Sequence, residues 1–486
     1  MLRSPAQLRA DALAIWHAGL AAVKSDRLVR DNVRIDGNWL VVGDESFELA
    51  KIGKIAVIGA GKAGAGMAAG LAAALGPQLI AEKQLAGWIN VPADCVPANT
   101  SQTCRRGPIH FHAARPAGIN EPTAEGVQGA EKILEIVQSL GPNDLCFCLL
   151  SGGGSALLPA PVHGVSLAEK QALTRLLSSG GANIQELNTV RKQLSQIKGG
   201  RLAQRCRAGR LISLIISDVL GDPLDVIASG PTVSDTATAA DALAILTRFV
   251  RDESVAPIAF EYLRAMVWTN THPPGAYPLG QGRVRVKVEV PSLQPACQVT
   301  NLVIGNNAVA VDAAGVEAER RGYSHAMHAA TSLEGSAEDI GVHLAQMALR
   351  MVREPGPDCL ITGGEPTVKL APPEIRGKGG RNQQLVLAAL VELLRTPNSA
   401  LLAPHLALLS GGTDGEDGPT DAAGAILGGD LITRVLQEHR DPADFFRRND
   451  AYHFFQPLGG LLQTGPTHTN VCDIRVVAVN RSPVGT

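Results

Sequence analysis

Three consecutive glycines follow an apolar run in the stretch LCFCLLSGGGSALL, which begins at residue 145. A tight turn needs one glycine, whereas three in a row remove every side chain and leave successive backbone N–H groups bare. Bare N–H groups in such a loop bind anions such as phosphate. The candidate anion ligands of this loop are Ser151, Gly152, Gly153, Gly154 and Ser155.

A second glycine loop lies in the stretch KIAVIGAGKAGAG, where Gly59, Gly61 and Gly64 match the pattern G-x-G-x-x-G. This pattern is typical of dinucleotide-binding proteins, in which an acid about 20 residues further on binds the ribose. Only Glu82 stands near that distance, in a segment that does not resemble a second strand. Lys62 inside the loop carries a charge that suits a phosphate group in transfer. The loop therefore favours phosphate contact through Gly61 and Lys62, and a plain packing turn and a nicotinamide site are the alternatives.

Carboxylates follow several other apolar runs. Asp218 ends the run RLISLIISD and Asp222 stands in the next turn, while Glu365 and Asp414 each follow a double glycine. Mg²⁺ prefers oxygen ligands and commonly binds together with phosphates. These acids therefore predict a magnesium site beside the anion-binding loops. Asp222 precedes a proline and could instead cap a helix.

Arg381 begins the apolar stretch RNQQLVLAALVELL, which predicts a helix. The positive end of the helix dipole lies at the helix N-terminus and disfavours a cation there. An arginine in this position indicates an anionic partner nearby, or else a solvated side chain in the first turn.

The elements that position these residues follow from short apolar runs that alternate with helical segments. The runs are rich in Ile, Val and Leu with little alternation, which is typical of strands covered on both faces. The predicted helices cover residues 63–75, 121–139, 166–180, 308–321, 335–353, 381–395 and 428–439. Alternating strands and helices predict an α/β fold with mainly parallel sheets, in which ligands bind outside the carboxyl ends of the strands. Every glycine loop named above lies at such an end.

The length of 486 residues exceeds one ordinary hydrophobic core and predicts two domains. The strand–helix pattern breaks after residue 232, and we place the boundary near 240, with domains at 1–240 and 241–486. Within the irregular region, RVRVKVEV at 283–290 predicts a half-exposed strand. One large domain with an inserted excursion is the alternative.

Composition excludes several classes of function. A formal net charge of -2 gives no basic excess, so a nucleic-acid partner is not expected. The eight cysteines form no C-x-x-C pair, which argues against structural zinc and suits a reducing compartment. The sequence contains no Walker-type G-x-x-x-x-G-K-[ST] motif and no G-x-S-x-G nucleophile elbow.

The N-terminal stretch predicts an amphipathic helix rather than a signal peptide. Its apolar residues Leu8, Ala12, Ile15, Leu20 and Val23 fall at helical spacing, with charged residues between them. No segment approaches 18 uninterrupted apolar residues, so we expect no membrane partner and a cytoplasmic location.

Seven motifs, in order, resemble the type-2 glycerate kinase family, whose C-terminal half is known as the MOFRL domain. They are VIGAGKAGAGMAAG, LLSGGGSALLPAP, LNTVRKQLSQIKGGRLA, SDVLGDPLDVIASGPT, GGEPTV, GGRNQQLVLA and SGGTDGEDGPTDAAGA, and the resemblance extends over residues 5–480 or so. The resemblance implies a Rossmann-like N-terminal domain and a C-terminal α/β domain that contains the MOFRL region at about 355–480. It places the active site in the cleft between the domains.

The resemblance also implies an activity, namely phosphorylation of D-glycerate by ATP with Mg²⁺, usually to 2-phosphoglycerate. The family's proposed catalytic pair falls on Lys62 and Arg381. Its acidic positions include Asp218, which could accept the hydroxyl proton. The remaining acidic positions, expected to bind the metal, are Asp222, Glu365 and Asp414.

The same motifs extend the expected substrate-binding and phosphate-binding residues. These are Arg191, Gly411, Gly412 and Thr413, in addition to the two glycine loops. The expected partners are the small molecules D-glycerate and ATP, and the sequence leaves a homodimer open. The segment 268–298 matches no family motif and is interpreted as a lid or an oligomer contact.

Two other classes of function remain open. An NAD(P)H-dependent hydroxypyruvate reductase shares the first glycine loop, but it needs a catalytic His or Arg–acid set for which the sequence offers no motif. A non-catalytic anion-binding protein does not explain so many acids at strand ends.

Overall fold

The computed structural model describes residues 2–97, 103–271, 297–397, 401 and 403–481. The chain divides into two compact units, which confirms the prediction of two α/β domains. The first, which we name the parallel-sheet unit, contains Val29–Ile215 and Pro223–Ile304. The second, the mixed-sheet unit, contains Met1–Leu28, Ile216–Asp222 and Gly305–Thr486.

The strands and helices are numbered along the chain. The strands are β1 Val33–Asp36, β2 Trp39–Val42, β3 Glu45–Glu48, β4 Ile55–Ala60, β5 Ala86–Pro92, β6 Thr103–Arg106, β7 Ile109–Arg115, β8 Leu145–Leu150, β9 Arg210–Ile216, β10 Gln298–Gly305, β11 His325–Ala329, β12 Cys359–Gly364, β13 Leu406–Gly412, β14 Gly424–Gly428, β15 Leu461–Leu462 and β16 Asp473–Val479. The α-helices are α1 Pro5–Ala22, α2 Ser25–Asn32, α3 Gly64–Glu82, α4 Ala124–Ser139, α5 Gly154–Leu157, α6 Leu167–Ser179, α7 Ile184–Gln193, α8 Arg201–Arg205, α9 Ala239–Phe249, α10 Pro257–Thr271, α11 Asn307–Arg320, α12 Ala337–Arg353, α13 Arg381–Arg395, α14 Gly429–Gln437, α15 Pro442–Arg447 and α16 Ala451–Phe455.

The parallel-sheet unit is built on a seven-stranded sheet with the order β10-β9-β8-β4-β5-β7-β6. The pairs β4–β5, β4–β8, β5–β7 and β8–β9 are parallel, and β6 is an antiparallel edge strand. Without β6, this is the 3-2-1-4-5-6 order of doubly wound Rossmann folds. The order reverses between β4 and β8, both fully buried, so the loops after these two strands border the crevice where such folds bind ligands. A separate three-stranded antiparallel sheet, β1-β2-β3, belongs to the same unit.

The mixed-sheet unit contains a six-stranded sheet with the order β11-β12-β16-β13-β14-β15. Only the β11–β12 pair is parallel, and the other four pairs are antiparallel. The expectation of a mainly parallel sheet is therefore wrong for this unit. Strand–helix alternation correctly gives β11, β12 and β13 one direction, but the last strand, β16, inserts between β12 and β13 in the opposite direction.

All seven predicted helices are present, with ends that shift by a few residues. The largest shift is in α3, which continues to Glu82, so the segment that did not resemble a second strand is helix. Gly76, at φ 74°, and Pro77 interrupt this helix. By length and composition alone α3 could cross a membrane, but Met67 and Leu71 are buried inside the protein, as in a core helix.

The observed units differ from the expected boundary near residue 240. Residues 241–304 belong to the parallel-sheet unit, and the N-terminal helix α1 belongs to the mixed-sheet unit. The reason is packing, because α1 lies against α11, β13 and β16 and buries Trp16 completely. Gly411 in β13 admits this indole, since a Cβ there would lie 3.1 Å from the Trp16 ring. Most of the segment 268–298, including the predicted strand at 283–290, lies outside the described residues.

We predict that Trp16→Ala lowers the free energy of unfolding of the mixed-sheet unit by about 3–5 kcal/mol, because it empties a fully buried indole site. The Nε1 group of Trp16 also donates a 3.2 Å hydrogen bond to the Gly411 carbonyl oxygen. Urea denaturation followed by circular dichroism measures the effect. Trp39, which is 46% exposed, provides the control, and Trp39→Ala should change stability by about 0.5 kcal/mol or less. Equal effects of the two substitutions would contradict the assignment of α1 to this unit.

Candidate functional site

In the parallel-sheet unit, the two glycine loops meet at the switch point of the sheet. The Lys62 N–H donates to the Gly152 carbonyl oxygen at 3.0 Å, and the Ala63 N–H donates to Ser151 Oγ at 3.0 Å. Gly61 makes this approach feasible, because its φ is 147° and a Cβ there would lie 2.0 Å from Ser151 Oγ. The structure therefore places the loop that carries Lys62 directly against the SGGGS loop.

Protein atoms occupy part of the space that the three glycines leave. A Cβ on Gly154 would lie 3.1 Å from the Ala228 Cβ, and one on Gly153, at φ 77°, would lie 3.2 Å from Arg115 Nη2. Close packing thus explains some of the glycine content of this loop, and the backbone conformation at Gly153 explains more. Arg115 is buried at the end of β7 and brings a cation to the loop.

A lysine that the sequence analysis did not select joins the SGGGS loop to a strained turn. Lys198 Nζ donates to the Ser155 carbonyl oxygen at 2.7 Å, to Ser155 Oγ at 2.6 Å and to Ser229 Oγ at 3.3 Å. The two serine hydroxyls are themselves 2.8 Å apart. Ala228 and Ser229 have φ values of 50° and 63°, which few non-glycine residues adopt.

Arg191 lies in the last turn of α7, in the same unit. Burial lowers the pKa of its guanidinium. Burial is the largest cause that lowers the pKa of Lys170 and of Lys198, and the charge of Arg191 lowers the pKa of both further. The predicted ligand Arg191 is therefore part of a group of cations near the SGGGS loop.

In the mixed-sheet unit, the carboxylates meet at one edge of the sheet. Glu365 follows β12 and Asp414 follows β13, and the two strands run in the same direction on either side of β16. Because β16 is antiparallel to both, its first residue lies at that same edge. The residue is Asp473, which pairs in register with Gly364 on one side and Gly412 on the other.

Arg381 forms the central ion pairs at this edge. Its Nε and Nη2 donate to the two carboxylate oxygens of Asp473 at 2.7 and 2.9 Å, and its Nη1 donates to Glu365 at 2.7 Å. Burial lowers the pKa of Arg381, but Asp473, followed by Glu365, outweighs it and raises the pKa above the usual range. The anionic partner expected for Arg381 is thus supplied by two carboxylates of the same unit.

A further buried carboxylate holds the start of α13. Asp417 accepts hydrogen bonds from the backbone N–H groups of Asn382 at 3.0 Å and Gln383 at 2.8 Å. Burial raises the pKa of this carboxyl to about 7, although both hydrogen bonds and Arg381 favour its charged form. Asp417 therefore fixes the helix turn that carries Arg381.

A buried thiol, Cys472, lies beside the carboxylates at this edge of the sheet. Cys472, at φ 68°, donates from Sγ to the Asp218 carbonyl oxygen at 3.2 Å and lies 4.0 Å from Glu365 Oε2. Burial raises the pKa of this thiol, and the negative charges of Glu365, Asp473 and Asp218 raise it further. The Asp218 side chain accepts from Asn470 Nδ2 at 3.1 Å. The structure thus places the backbone of Asp218 and the carboxylate of Glu365 against the same thiol, and Glu365 also pairs with Arg381.

Of the other residues predicted near this edge, Gly412 and Thr413 lie beside the carboxylates or Cys472, whereas Gly411 does not. A Cβ on Gly412 would lie 3.1 Å from Asp414 Oδ1 and 3.5 Å from Asp473 Oδ1, so both carboxylates flank this glycine. The Thr413 hydroxyl is buried and donates to the Cys472 carbonyl oxygen at 2.7 Å, which supports the strained residue. Gly411 packs against Trp16, away from the carboxylates.

Asp222 has a different environment from the other acids. Its Oδ2 accepts from Asn306 Nδ2 at 2.5 Å, and Asn306 in turn caps the start of α11. With φ at 54°, Asp222 adopts a left-handed conformation. Among the described helices none has Asp222 as its N-cap, so the helix-capping alternative raised from the sequence is not what the structure shows; the cap residue here is Asn306.

A cleft of about 460 Å³ lies beside Arg381 in the mixed-sheet unit. Its walls come from the glycine-rich stretch 377–381 and the acidic stretch 414–419, and they include Asp414, Glu416 and Asp417. A cavity of about 1500 Å³ in the parallel-sheet unit is lined by Asp144, Arg210 and Gln298, at the amino ends of strands, and by none of the predicted site residues.

The donor set fits Mg²⁺ only in combination with phosphate. Among the described residues, no three His, Cys, Asp or Glu side chains lie close enough together to hold a metal ion by themselves. Mg²⁺ in phosphate chemistry commonly takes one or two carboxylates and completes its shell with phosphate oxygens and water. Glu365 and Asp414 at the sheet edge suit that partial role.

Sequence reasoning missed Asp473, Asp417, Cys472, Lys198 and Ser229. It searched for polar residues after apolar runs, whereas Asp473 precedes one, in CDIRVVAV. An acid directly before a buried strand is the signal that could have found it, provided that the strand is antiparallel. Nothing in the sequence near Lys198 distinguishes it from the other cations of LNTVRKQLSQIKGGRLA.

Known protein families and proteins match the chain over most of its length. Two family models match the chain: a domain of unknown function, DUF4147, over residues 11–264 and the MOFRL family over residues 358–473. A glycerate kinase of Rattus norvegicus is 36% identical, and the match covers 97% of this chain and 93% of the relative. The chain belongs to the type-2 glycerate kinase family. The resemblance in the seven motifs is thus confirmed.

Further relatives and two solved structures also match most of the chain. A D-glycerate 2-kinase of Thermotoga maritima is 37% identical over 76% of this chain and 80% of its own length. A relative from Agrobacterium vitis, 36% identical over 88% of this chain, carries a provisional hydroxypyruvate reductase name. The crystal structure of a Thermotoga maritima glycerate kinase matches with a TM-score of 0.75 at 32% identity, covering 97% of this chain and 99% of that one. A Pyrococcus horikoshii protein matches with a TM-score of 0.77 at 31% identity, over 98% and 99% of the two chains.

The raised pKa of Asp417 predicts how stability depends on pH. The folded pKa of about 7 lies above the unfolded value of about 4, so the native state holds the extra proton between these values. The contribution of the Asp417 carboxyl to the free energy of unfolding is therefore fully present below about pH 4 and is lost as the pH rises towards 7. Asp417→Asn cannot ionise, so its stability relative to the unsubstituted protein should improve over this range.

Urea denaturation at pH 4.5, 5.5, 6.5 and 7.5 measures that difference. Asp421, in the same loop, provides the control, because its hydrogen bond from Tyr452 lowers its pKa. Asp421→Asn should show no such relative improvement. A constant difference between Asp417→Asn and the unsubstituted protein would contradict the prediction.

Proposed function

We propose that this protein transfers the γ-phosphoryl group of ATP to a hydroxyl of D-glycerate and forms 2-phosphoglycerate. The observation that carries the proposal is the near-complete match to glycerate kinases, which includes a D-glycerate 2-kinase by name. The geometry supports it. The loop that carries Lys62 follows β4, and Arg381, Asp473 and Glu365, which we name the arginine–carboxylate cluster, lie where β12 ends. Ligands of α/β sheets bind at such strand ends.

Lys62 and Arg381 are proposed to stabilise the charge that spreads over the transferring phosphoryl group. Phosphoryl transfer requires mainly positioning and electrostatic stabilisation from the protein. The contact of the Lys62 N–H with the Gly152 carbonyl fixes the first loop, and Asp473 fixes the Arg381 guanidinium by a two-point ion pair. The Arg381 guanidinium and the backbone of Lys62 are therefore held in place before substrate binds, which lowers the cost of ordering them.

The carboxylates are proposed to divide into a base and metal ligands. Asp218 accepts the proton of the reacting hydroxyl, and its bond from Asn470 orients the carboxylate. Glu365 and Asp414 hold the magnesium ion, which when bound supplies positive charge to the phosphate oxygens. Asp222, bonded to Asn306, is assigned the same metal-binding role from the family pattern.

The anion ligands are proposed to lie in both units. In the SGGGS loop, backbone N–H groups of Gly152 and Gly153 bind oxygens of phosphate or carboxylate, whereas the Gly154 N–H closes the turn by donating to the Ser151 carbonyl oxygen at 3.2 Å. Ser151 and Ser155 orient the loop through their hydroxyl groups. Arg191 adds positive charge near that loop. Gly61, Gly412 and Thr413 keep the backbone in the geometry that these contacts need, and Gly411 supports them by admitting Trp16.

The decisive experiment incubates the purified protein with D-glycerate and ATP, with and without Mg²⁺. We expect ADP formation that requires D-glycerate, stops with EDTA and returns with added Mg²⁺. Coupling to enolase without phosphoglycerate mutase then identifies the product, since only the 2-phosphate is converted at once. Conversion that requires the mutase would instead indicate the 3-phosphate. NADH oxidation with hydroxypyruvate and no ADP would replace the kinase by the reductase.

Substitutions at the two cations test their roles. Lys62→Ala should lower kcat by about 100-fold or more, because it removes a charge that stabilises the transition state. Arg381→Lys should lose most activity, because one ammonium cannot reproduce the planar contacts to Asp473 and Glu365. Steady-state kinetics and a thermal melt of each variant measure the effects.

Matched controls lie on the same elements. Lys54 is exposed and directly precedes β4, at the end of the strand opposite Lys62, and Arg395 is exposed in the last turn of α13, at the end opposite Arg381. Lys54→Ala and Arg395→Lys should keep kcat within about twofold, as expected for surface substitutions. Normal kcat in Lys62→Ala with an unchanged melt would remove that residue from the mechanism.

A further inference from the structure

Three cations of the parallel-sheet unit lie close together without an acidic partner. They are Lys170 on α6, Arg191 on α7 and Lys198 in the connection between α7 and α8. We name them the cation cluster. Among the described residues, no ion pair involves any of the three, and the hydrogen bonds of the two lysines go to neutral oxygens, of Leu194 for Lys170 and of Ser155 and Ser229 for Lys198.

Lys198 is the member of the cluster that the fold alone explains least. It is only 5% exposed. Burial lowers the pKa of Lys198 well below its usual range, and the charges of Lys170 and Arg191 lower it further. Lys170 and Arg191 lie near the C-terminal end of α7, where the helix dipole favours cations. Lys198 lies beyond the last turn of α7, and its partners among the described residues are neutral oxygens.

Lys192 shows what a structural lysine looks like in the same segment. It is also 5% exposed, but its Nζ lies 3.3 Å from Asp225 and 3.4 Å from Asp235. Buried charges in proteins are normally paired in this way. Lys198 Nζ gives its three donors to hydroxyl and carbonyl oxygens, which are neutral. An anion from outside the protein that replaces one of these acceptors would supply the negative charge that Lys192 receives from Asp225 and Asp235.

We propose that Lys198, with Arg191 and Lys170 as its cationic neighbours, binds the carboxylate group of the acceptor acid, a role that rests on the proposed kinase function and specifies the substrate class as small hydroxy acids. Lys198 contacts Ser155 in the SGGGS loop, and that loop contacts the loop of Lys62. A carboxylate bound there is held beside the loop that carries the proposed catalytic lysine. Because Lys198 is buried, the site suits one small carboxylate better than a nucleoside triphosphate.

The strained turn at Ser229 fits the same role. Ser229 has φ 63° and is 1% exposed, and its hydroxyl lies between Lys198 and Ser155. Strain of this kind persists where the surrounding structure holds a residue for function. The Ser229 and Ser155 hydroxyls can each turn a donor towards a bound carboxylate, since a hydroxyl both donates and accepts.

The test compares Lys198→Met with Lys192→Met. Lys198→Met should raise KM for D-glycerate by about tenfold to a hundredfold, the loss expected for one hydrogen bond to a charged group. The KM for ATP should stay within twofold, and the melting temperature should stay constant or rise, because an uncompensated charge is removed. Lys192→Met should do the reverse, with a lower melting temperature and an unchanged KM for D-glycerate.

The neutral analogue D-glyceramide isolates the carboxylate. The unsubstituted protein should use D-glycerate much better than the amide, and Lys198→Met should lose that preference while Lys198→Arg keeps part of it. Should Lys198→Met fail to fold, Arg191→Met at a partly exposed site replaces it and should also raise KM for D-glycerate. An unchanged KM for D-glycerate in the folded variants overturns the proposal, and a raised KM for ATP alone shows that the cluster binds nucleotide phosphate instead.

Direct binding separates this proposal from the kinase function. If the unsubstituted protein forms no ADP with D-glycerate, the kinase proposal fails. Isothermal titration of D-glycerate, and of sodium sulfate as a competing anion, then tests the cluster in the absence of turnover. Binding that Lys198→Met abolishes and Lys192→Met retains supports the carboxylate site, and equal binding by both variants overturns it.

Discussion

The insertion of β16 between β12 and β13 is the constraint on which the arginine–carboxylate cluster depends. Because the inserted strand is antiparallel to both neighbours, its first residue lies where theirs end, and a buried aspartate enters the row of strand-end carboxylates. Asp473 has no exposed surface, so its charge requires the two-point ion pair with Arg381. The position of the arginine and the order of the strands therefore support each other.

At the same edge, an unfavourable interaction of Arg381 with the helix dipole is offset by nearby carboxylates. Arg381 begins a helix, where the dipole opposes its charge, and Asp473, Glu365 and Asp417 compensate that cost. Asp417 also pairs the N–H groups of Asn382 and Gln383, which the first helical turn otherwise leaves without partners. The arrangement presents a rigid arginine whose surroundings are acidic, which suits binding of a phosphate together with a metal ion rather than of phosphate alone.

The predicted site residues of the parallel-sheet unit lie in glycine loops and among cations rather than among carboxylates. Its glycine loops meet at the switch point of a doubly wound sheet, and missing side chains let two backbones approach within hydrogen-bond distance. Charge there is cationic, and the cluster around Lys198 is compensated by no carboxylate of the described residues. A protein that keeps buried positive charge beside a glycine loop gives up some stability, which the proposed binding of an anion would restore.

The sequence by itself determined the local parts of this protein: the seven predicted helices, the glycine loops at strand ends and the positions of Lys62, Arg381, Asp218 and Glu365. Such features are readable because glycine, charge and apolar periodicity act over a few residues. Only the tertiary structure decided that β16 is antiparallel, that α1 packs in the mixed-sheet unit and that Lys192 is paired while Lys198 is not. These outcomes depend on strand pairing and burial between residues far apart in the chain, about which local spacing carries no information, and so Asp473 and Lys198 were found only in the folded protein.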